Sequence, residues 1–154
     1  MGPVLTRLSM IHIDDQMKRI IEAAPSDGVH CLVGSVSQDG WPHIGPKGSV
    51  IVHDAQTLAY WERGLATTHA NINANPRMTV YYRNSARRDE LPRGAGWHFY
   101  GMAEVHRGDD VWQAVMDRAP TAELDRDPDR KGAAILIRIH RITDAAGGLL
   151  QERD

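Results

Sequence analysis

The sequence predicts a mainly β fold, an antiparallel barrel of six strands with short helices placed outside it. Three observations lead there. Six stretches rich in apolar, β-branched and aromatic residues follow one another along the chain, most of them separated by short turn-forming connections. Strand and helix do not alternate regularly, as a parallel sheet would require, and no internal repeat is present. The 154 residues, 42% of them hydrophobic, suffice for one core and show no linker to a second, so residues 1–154 are expected to form a single domain.

The elements follow in order. Asp14 and Asp15 precede Met17, Ile20, Ile21 and Ala24, an i, i+3, i+4, i+7 stripe that ends at Pro25, which predicts an amphipathic helix over 14–24. The barrel core is expected over about 29–142. Residues 29–37 and 42–53 read as two strands of a hairpin joined by Gln38-Asp39-Gly40-Trp41. Thr57-Leu58-Ala59-Tyr60-Trp61 is a third strand, after a short turn at 54–56. Residues 67–74 open on two hydroxyl residues and stop before Asn75-Pro76, which suits a short helix. A strand over 77–82 leads to a polar loop over 85–96 with Pro92, Gly94 and Gly96, and a fifth strand over 97–106 interleaves aromatic and small residues. Asp109 and Asp110 cap a helix with apolar positions Val111, Trp112, Val115 and Met116. After a charged, irregular stretch, residues 133–142 form the last strand, alternating only in its second half, and the tail beyond Thr143 carries little signal.

Composition narrows the function classes. A formal charge of −2 lacks the basic footprint of a protein that lives on nucleic acid or anionic membrane, so small molecules are the expected ligands. A single cysteine, Cys31, excludes an intramolecular disulfide and suits a reducing cytoplasm. The first thirteen residues carry Arg7 and His12 and lack the apolar stretch of a secretory leader, and no apolar run approaches the roughly 20 residues of a membrane span. A cytoplasmic protein is expected.

Two segments invite a ligand, and each has a plain structural alternative. In Gly45-Pro46-Lys47-Gly48-Ser49 the glycines allow close backbone approach and Lys47 supplies a cation, yet the spacing and the β-branched run that follows exclude a Walker loop. A kinked barrel strand explains it equally. In Glu62-Arg63-Gly64-Leu65-Ala66-Thr67-Thr68 a polar loop feeds a helix N-terminus, where free amides, hydroxyls and Arg63 suit an anion such as phosphate. A simple cap with a solvated Arg63 is the alternative.

Other chemistries find less footing. The eight histidines form no metal motif, no Gly-x-Ser-x-Gly elbow is present, and Cys31 sits in an apolar strand where an inert buried thiol is expected. A small barrel is filled by its own side chains, so any cofactor is expected on the outer wall or at a subunit interface.

Taken in order, Asp39-Gly40-Trp41-Pro42-His43, Gly45-Pro46-Lys47-Gly48-Ser49, Leu58-Ala59-Tyr60-Trp61, residues 68–77 (Thr-His-Ala-Asn-Ile-Asn-Ala-Asn-Pro-Arg) and residues 96–105 resemble the pyridoxamine 5'-phosphate oxidase-like FMN-binding split barrels. The resemblance covers about 29–105. It implies a six-stranded antiparallel split β-barrel with short flanking helices, a homodimer, and FMN held non-covalently at the interface. Carried over position by position, Pro46, Lys47, Gly48 and Ser49 flank the isoalloxazine, and Trp61, Glu62, Thr67, Thr68 and Asn71 surround ribityl and phosphate. Many family members have a basic pair where this chain has Thr67-Thr68, so the phosphate cation must come from Arg63, Lys47 or the partner subunit. The strand over 97–106 is the expected contributor to the dimer interface.

The activity implied is that of an FMN-dependent oxidoreductase with an unknown small-molecule substrate. Residues 144–154 offer nothing like the classical oxidase's terminal Arg and His, so vitamin B6 oxidation is not expected. The alternatives are a non-enzymatic flavin-binding or stress-associated module, or a split barrel that uses deazaflavin or haem.

Overall fold

A computed structural model describes residues 10–154; most of the N-terminal segment read above for a leader lies outside them. The first helix, α1 (Asp15–Glu22), starts where Asp14 accepts a hydrogen bond from the Met17 amide at 2.8 Å, and it buries Met17, Ile20 and Ile21. The helix expected over 14–24 ends earlier, at Glu22, and Pro25 sits in the first turn of another, α2 (Ala24–Asp27), where its missing amide costs no helix bond. Gly28, at φ 74°, terminates it in the left-handed conformation.

Eight strands form one antiparallel sheet. They are β1 (Cys31–Val36), β2 (Pro42–Lys47), β3 (Ile51–Asp54), β4 (Thr57–Glu62), β5 (Arg77–Arg83), β6 (Gly96–His106), β7 (Ala133–Asp144) and β8 (Leu149–Glu152). The lateral order is β2-β1-β5-β6-β7-β4-β3, with β8 pairing the second half of β7. No ladder joins β2 to β3, yet only residues 48–50 separate them in the chain, so the two ends of the sheet meet at a corner. This is a barrel that is split rather than closed.

Two strands come in addition to the six expected. The run 42–53 breaks at its corner because Ser49 replaces a ladder bond: its hydroxyl accepts from the Trp61 amide at 3.0 Å and donates to the Trp61 carbonyl at 3.3 Å. Strand β8 pairs through its backbone while Leu149 and Leu150 stay exposed, which leaves it no burial pattern to read. The long β6 and β7 shift register between Tyr100 and Gly101. A Cβ on Gly101 would collide with the Arg138 carbonyl, so glycine is what permits the bend.

The inner face of the sheet encloses the main core, with Val33, Tyr60, Tyr82, Phe99, Ile135, Ile137, Ile139 and Ile142 fully buried. Each such aliphatic or aromatic side chain contributes about 1.5–3 kcal/mol by leaving water. Two further helices flank the sheet: α3 (Thr67–Ala74), which follows β4, and α4 (Asp110–Arg118), which follows β6. Asp109 caps α4, accepting from Trp112 at 2.9 Å, and Val115 packs on a second core of Ile51, Ala59, Ala134 and Leu136. Because α4 covers its outer face, β7 is buried on both sides at its start and alternates only later. A short helix, α5 (Thr121–Leu124), lies in the charged stretch before β7. Among the described residues no helix is long and apolar enough to cross a membrane.

Candidate functional site

The expected site residues lie where the barrel is split. Strand alternation turns Glu62 to the inner face of β4, the side shared with Leu58 and Tyr60, and turns Lys47 to the inner face of β2. The two meet across the opening: Lys47 Nζ lies 2.5 Å from Glu62 Oε2, and 5.3 Å from the centroid of the Tyr60 ring. The Glu62 side chain is only 4% exposed and that of Lys47 19%, so the ion pair is largely screened from water. Beside it, a Cβ on Gly48 would collide with the Glu123 carboxylate of α5, so glycine there lets a carboxylate rest on the backbone.

Helix α3 begins at Thr67, past Leu65, which adopts φ 46°. Its N-cap is Ala66, which offers no side-chain acceptor, so no side chain of the N-cap satisfies the first-turn amides. Thr67 is exposed and Thr68 buried; Thr68 Oγ1 packs against Gly45, within 3.8 Å of where a Cβ would stand. Asn71, also buried, donates from Nδ2 to Ser35 Oγ at 3.1 Å and ties the helix to β1. Arg63 is exposed and makes no ion pair among the described residues. His69 Nδ1 is buried in α3 without a hydrogen-bond partner.

Not every expected residue is free to meet a ligand. The Ser49 hydroxyl is engaged by the Trp61 backbone. The Trp61 indole lies on the outer side under α4, 5.7 Å from the Trp112 ring, and donates to Asp127 Oδ2 at 3.0 Å. Asp127 also accepts from the amides of Lys131 (2.9 Å) and Gly132 (2.8 Å). Burial opposes its ionisation, and these three donors outweigh that, holding the carboxyl below the usual range. The structure therefore brings together Gly45, Lys47, Gly48, Glu62, Thr68 and Asn71, leaves Pro46 exposed on the outer side of β2, and gives Ser49 and Trp61 internal partners. Glu123 and Ser35 join the site without having been expected. Both arrive by contacts between distant segments, for which the local sequence holds no signal. Burial pushes the Cys31 thiol up to about 12, in line with an inert side chain.

The outer face of β2, β1, β5, β6 and the end of β7 carries a groove of about 960 Å3. In β6, Trp97 and Phe99 point into the core while His98, Tyr100 and Met102 point outward into the groove. Tyr81, His98 and Tyr100 form a ladder of rings, with centroids 4.8 and 5.9 Å apart, and the Arg141 guanidinium stands 4.3 Å from the Tyr100 centroid. At the margin, Trp41 and Ile44 are 72% and 68% exposed. Among the described residues no group of three His, Cys, Asp or Glu is placed to hold a metal.

Known proteins with this architecture are numerous. The structure of HupZ from Group A Streptococcus is 26% identical, with a TM-score of 0.67 over 89% of this chain and 97% of that one. General Stress Protein 26 from Bacillus anthracis is 15% identical, with a TM-score of 0.63 over 88% and 98%. An FMN-binding protein from Syntrophomonas wolfei is 11% identical, with a TM-score of 0.65 over 90% and 91%. No curated protein matches the sequence significantly. The family model for pyridoxamine 5'-phosphate oxidase matches residues 13–144, and with that span and the split barrel together the chain belongs to the pyridoxamine 5'-phosphate oxidase family.

Proposed function

We propose that two copies of this chain associate through the bare outer face and bind FMN, making a flavin-dependent oxidoreductase for a small molecule. The observation that carries the reading is the start of α3: an N-terminus without a side-chain cap, two threonines in its first turn, and, in the loop four residues before Thr67, an arginine with no ion pair among the described residues. A phosphate satisfies such amides and is favoured by the helix dipole, so the residues present fit the phosphate end of the cofactor. Family membership and the likeness to an FMN-binding protein support the same choice.

In this reading Thr67, Thr68 and the α3 amides hold the phosphate, and Arg63 closes over it as a fork-shaped donor. Asn71 fixes the helix through Ser35, so the amides are aimed before the ligand arrives. When bound, the flavin supplies hydride and electron transfer, while the protein supplies orientation and a dry surface. Burying Ile44, Trp41 and the ring ladder against a second copy is what would exclude water from the groove. Pro42 and Pro46 remove donors from edge strand β2, which disfavours association by strand addition and leaves face-to-face contact.

Absorption spectroscopy of the protein titrated with FMN, combined with sedimentation, tests the reading. One flavin per chain on a dimer is expected. A chain that stays monomeric at micromolar concentration and leaves the flavin spectrum unperturbed would overturn it.

A further inference from the structure

Lys47 and Glu62 close strands that lie far apart in the sheet, for β1, β5, β6 and β7 all stand between β2 and β4 in the lateral order. Their ion pair is thus a clasp across the split, set on strand ends that lead directly into the Gly48 corner and the loop to α3. Gly45 and Lys47 share one face of β2, and Thr68 of α3 packs on that face at Gly45, so Lys47 and the first turn of the helix lie on the same side of the strand. Lys47 is the basic side chain in this cluster with limited exposure, and its charge is already matched. A second carboxylate, Glu123, rests at the neighbouring Gly48.

We propose that Glu62 is the specificity-determining residue of this site: by holding Lys47 in the clasp it denies the ammonium to an anionic ligand and lowers the site's preference for phosphorylated over neutral flavin. The proposal rests on the flavin reading above. Physically, an anion arriving near α3 gains from Lys47 only if the ammonium leaves a carboxylate that is itself buried, and an unpaired buried carboxylate is strongly disfavoured. While the pair is intact, the net charge of Lys47 and Glu62 is zero and the first-turn amides and Arg63 act alone. Removing the carboxylate and keeping its shape restores a positive charge to the site.

The test is a titration of FMN and riboflavin, followed by flavin fluorescence, into the full-length protein, Glu62→Gln and Glu62→Gln/Lys47→Met, with apo melting temperatures measured alongside. Glu62→Gln is expected to tighten FMN tenfold or more and to leave riboflavin within twofold; adding Lys47→Met is expected to abolish the gain. A purely structural clasp would lower the melting temperature and move both ligands together. Should Glu62→Gln fail to fold by circular dichroism, Glu62→Met fills a similar volume without the carboxylate and carries the same expectation. Unchanged or weaker FMN binding in the folded variant, with FMN bound by the unaltered protein, overturns the role of Glu62 and leaves the flavin reading standing. If none of these proteins binds either flavin, both fall.

Discussion

On the outer side of β3, β4 and the first half of β7 the sheet is roofed by α4, whereas the outer side of β2, β1, β5, β6 and the end of β7 carries an open groove. The strands record the difference. All six residues of β4 are buried, while β5 alternates between core and surface. The roofed side uses its apolar residues within one chain; the bare side keeps Ile44 and Trp41 in water, at an unfavourable cost that a second copy would remove. A sheet with one roofed and one bare half holds its core within one chain and still leaves a face open.

The largest effect is expected on the roofed side. Val115, on the sheet-facing side of α4, is fully buried, so Val115→Asp places an unpaired charge in a dry interface and should cost on the order of 4 kcal/mol in urea unfolding. A loss below about 1 kcal/mol would mean that α4 does not roof the sheet in solution.

At the junction of the two halves, Arg63→Ala should weaken FMN binding by about 1.5–3 kcal/mol, ten- to a hundredfold, with riboflavin affinity and apo stability nearly unchanged. The neighbouring Glu62 does not compete for Arg63, since its carboxylate is engaged by Lys47. Unchanged FMN affinity would make Arg63 a surface residue.

Asp127→Asn should cost about 1 kcal/mol at neutral pH, by weakening charge-assisted bonds from Trp61, Lys131 and Gly132. Its folded carboxyl lies below its unfolded value of about 3.9, so its contribution is present above that value and lost as pH falls through the folded one. Stabilities of the variant and the unaltered protein should therefore converge below about pH 4, as followed by acid titration of the fluorescence. A gap that persists at lower pH would assign the cost to packing instead.

The smallest stability effect is expected on the bare side. Ile44→Asp should change unfolding of the dilute chain by no more than about 0.5 kcal/mol, because the side chain is already exposed. If two copies associate through this face as proposed, sedimentation at micromolar concentration should nevertheless show loss of that dimer. Retention of the dimer would locate the interface elsewhere.

Local chemistry made much of this legible in the sequence. The end of α3 was readable because Asn75-Pro76 stops it, and the start of α4 because Asp109 caps it; α3 does begin at Thr67, but its N-cap is Ala66 and neither threonine caps it. The alternation of β7 in its second half alone already encoded the roof over its first half. The corner at 48–50 was hidden because the β-branched run of Val50, Ile51 and Val52 continues the strand pattern through it. The Lys47–Glu62 clasp and the Trp61–Asp127 bond join residues 15 and 66 positions apart, and no local pattern encodes which distant partner a charge will find.

The placement of the four tryptophans has an optical consequence. Trp61 and Trp112 lie 5.7 Å apart beneath the roof, close enough for their near-ultraviolet transitions to couple, so their circular dichroism reports whether α4 is docked. Trp97 sits in the core at 5% exposure, and Trp41 stands in solvent at 72%. The emission of Trp41 should be red-shifted in the isolated chain and blue-shifted once a second copy covers it. The molecule thus carries a separate indole signal for its roof and for its open face, and each can be followed without a label.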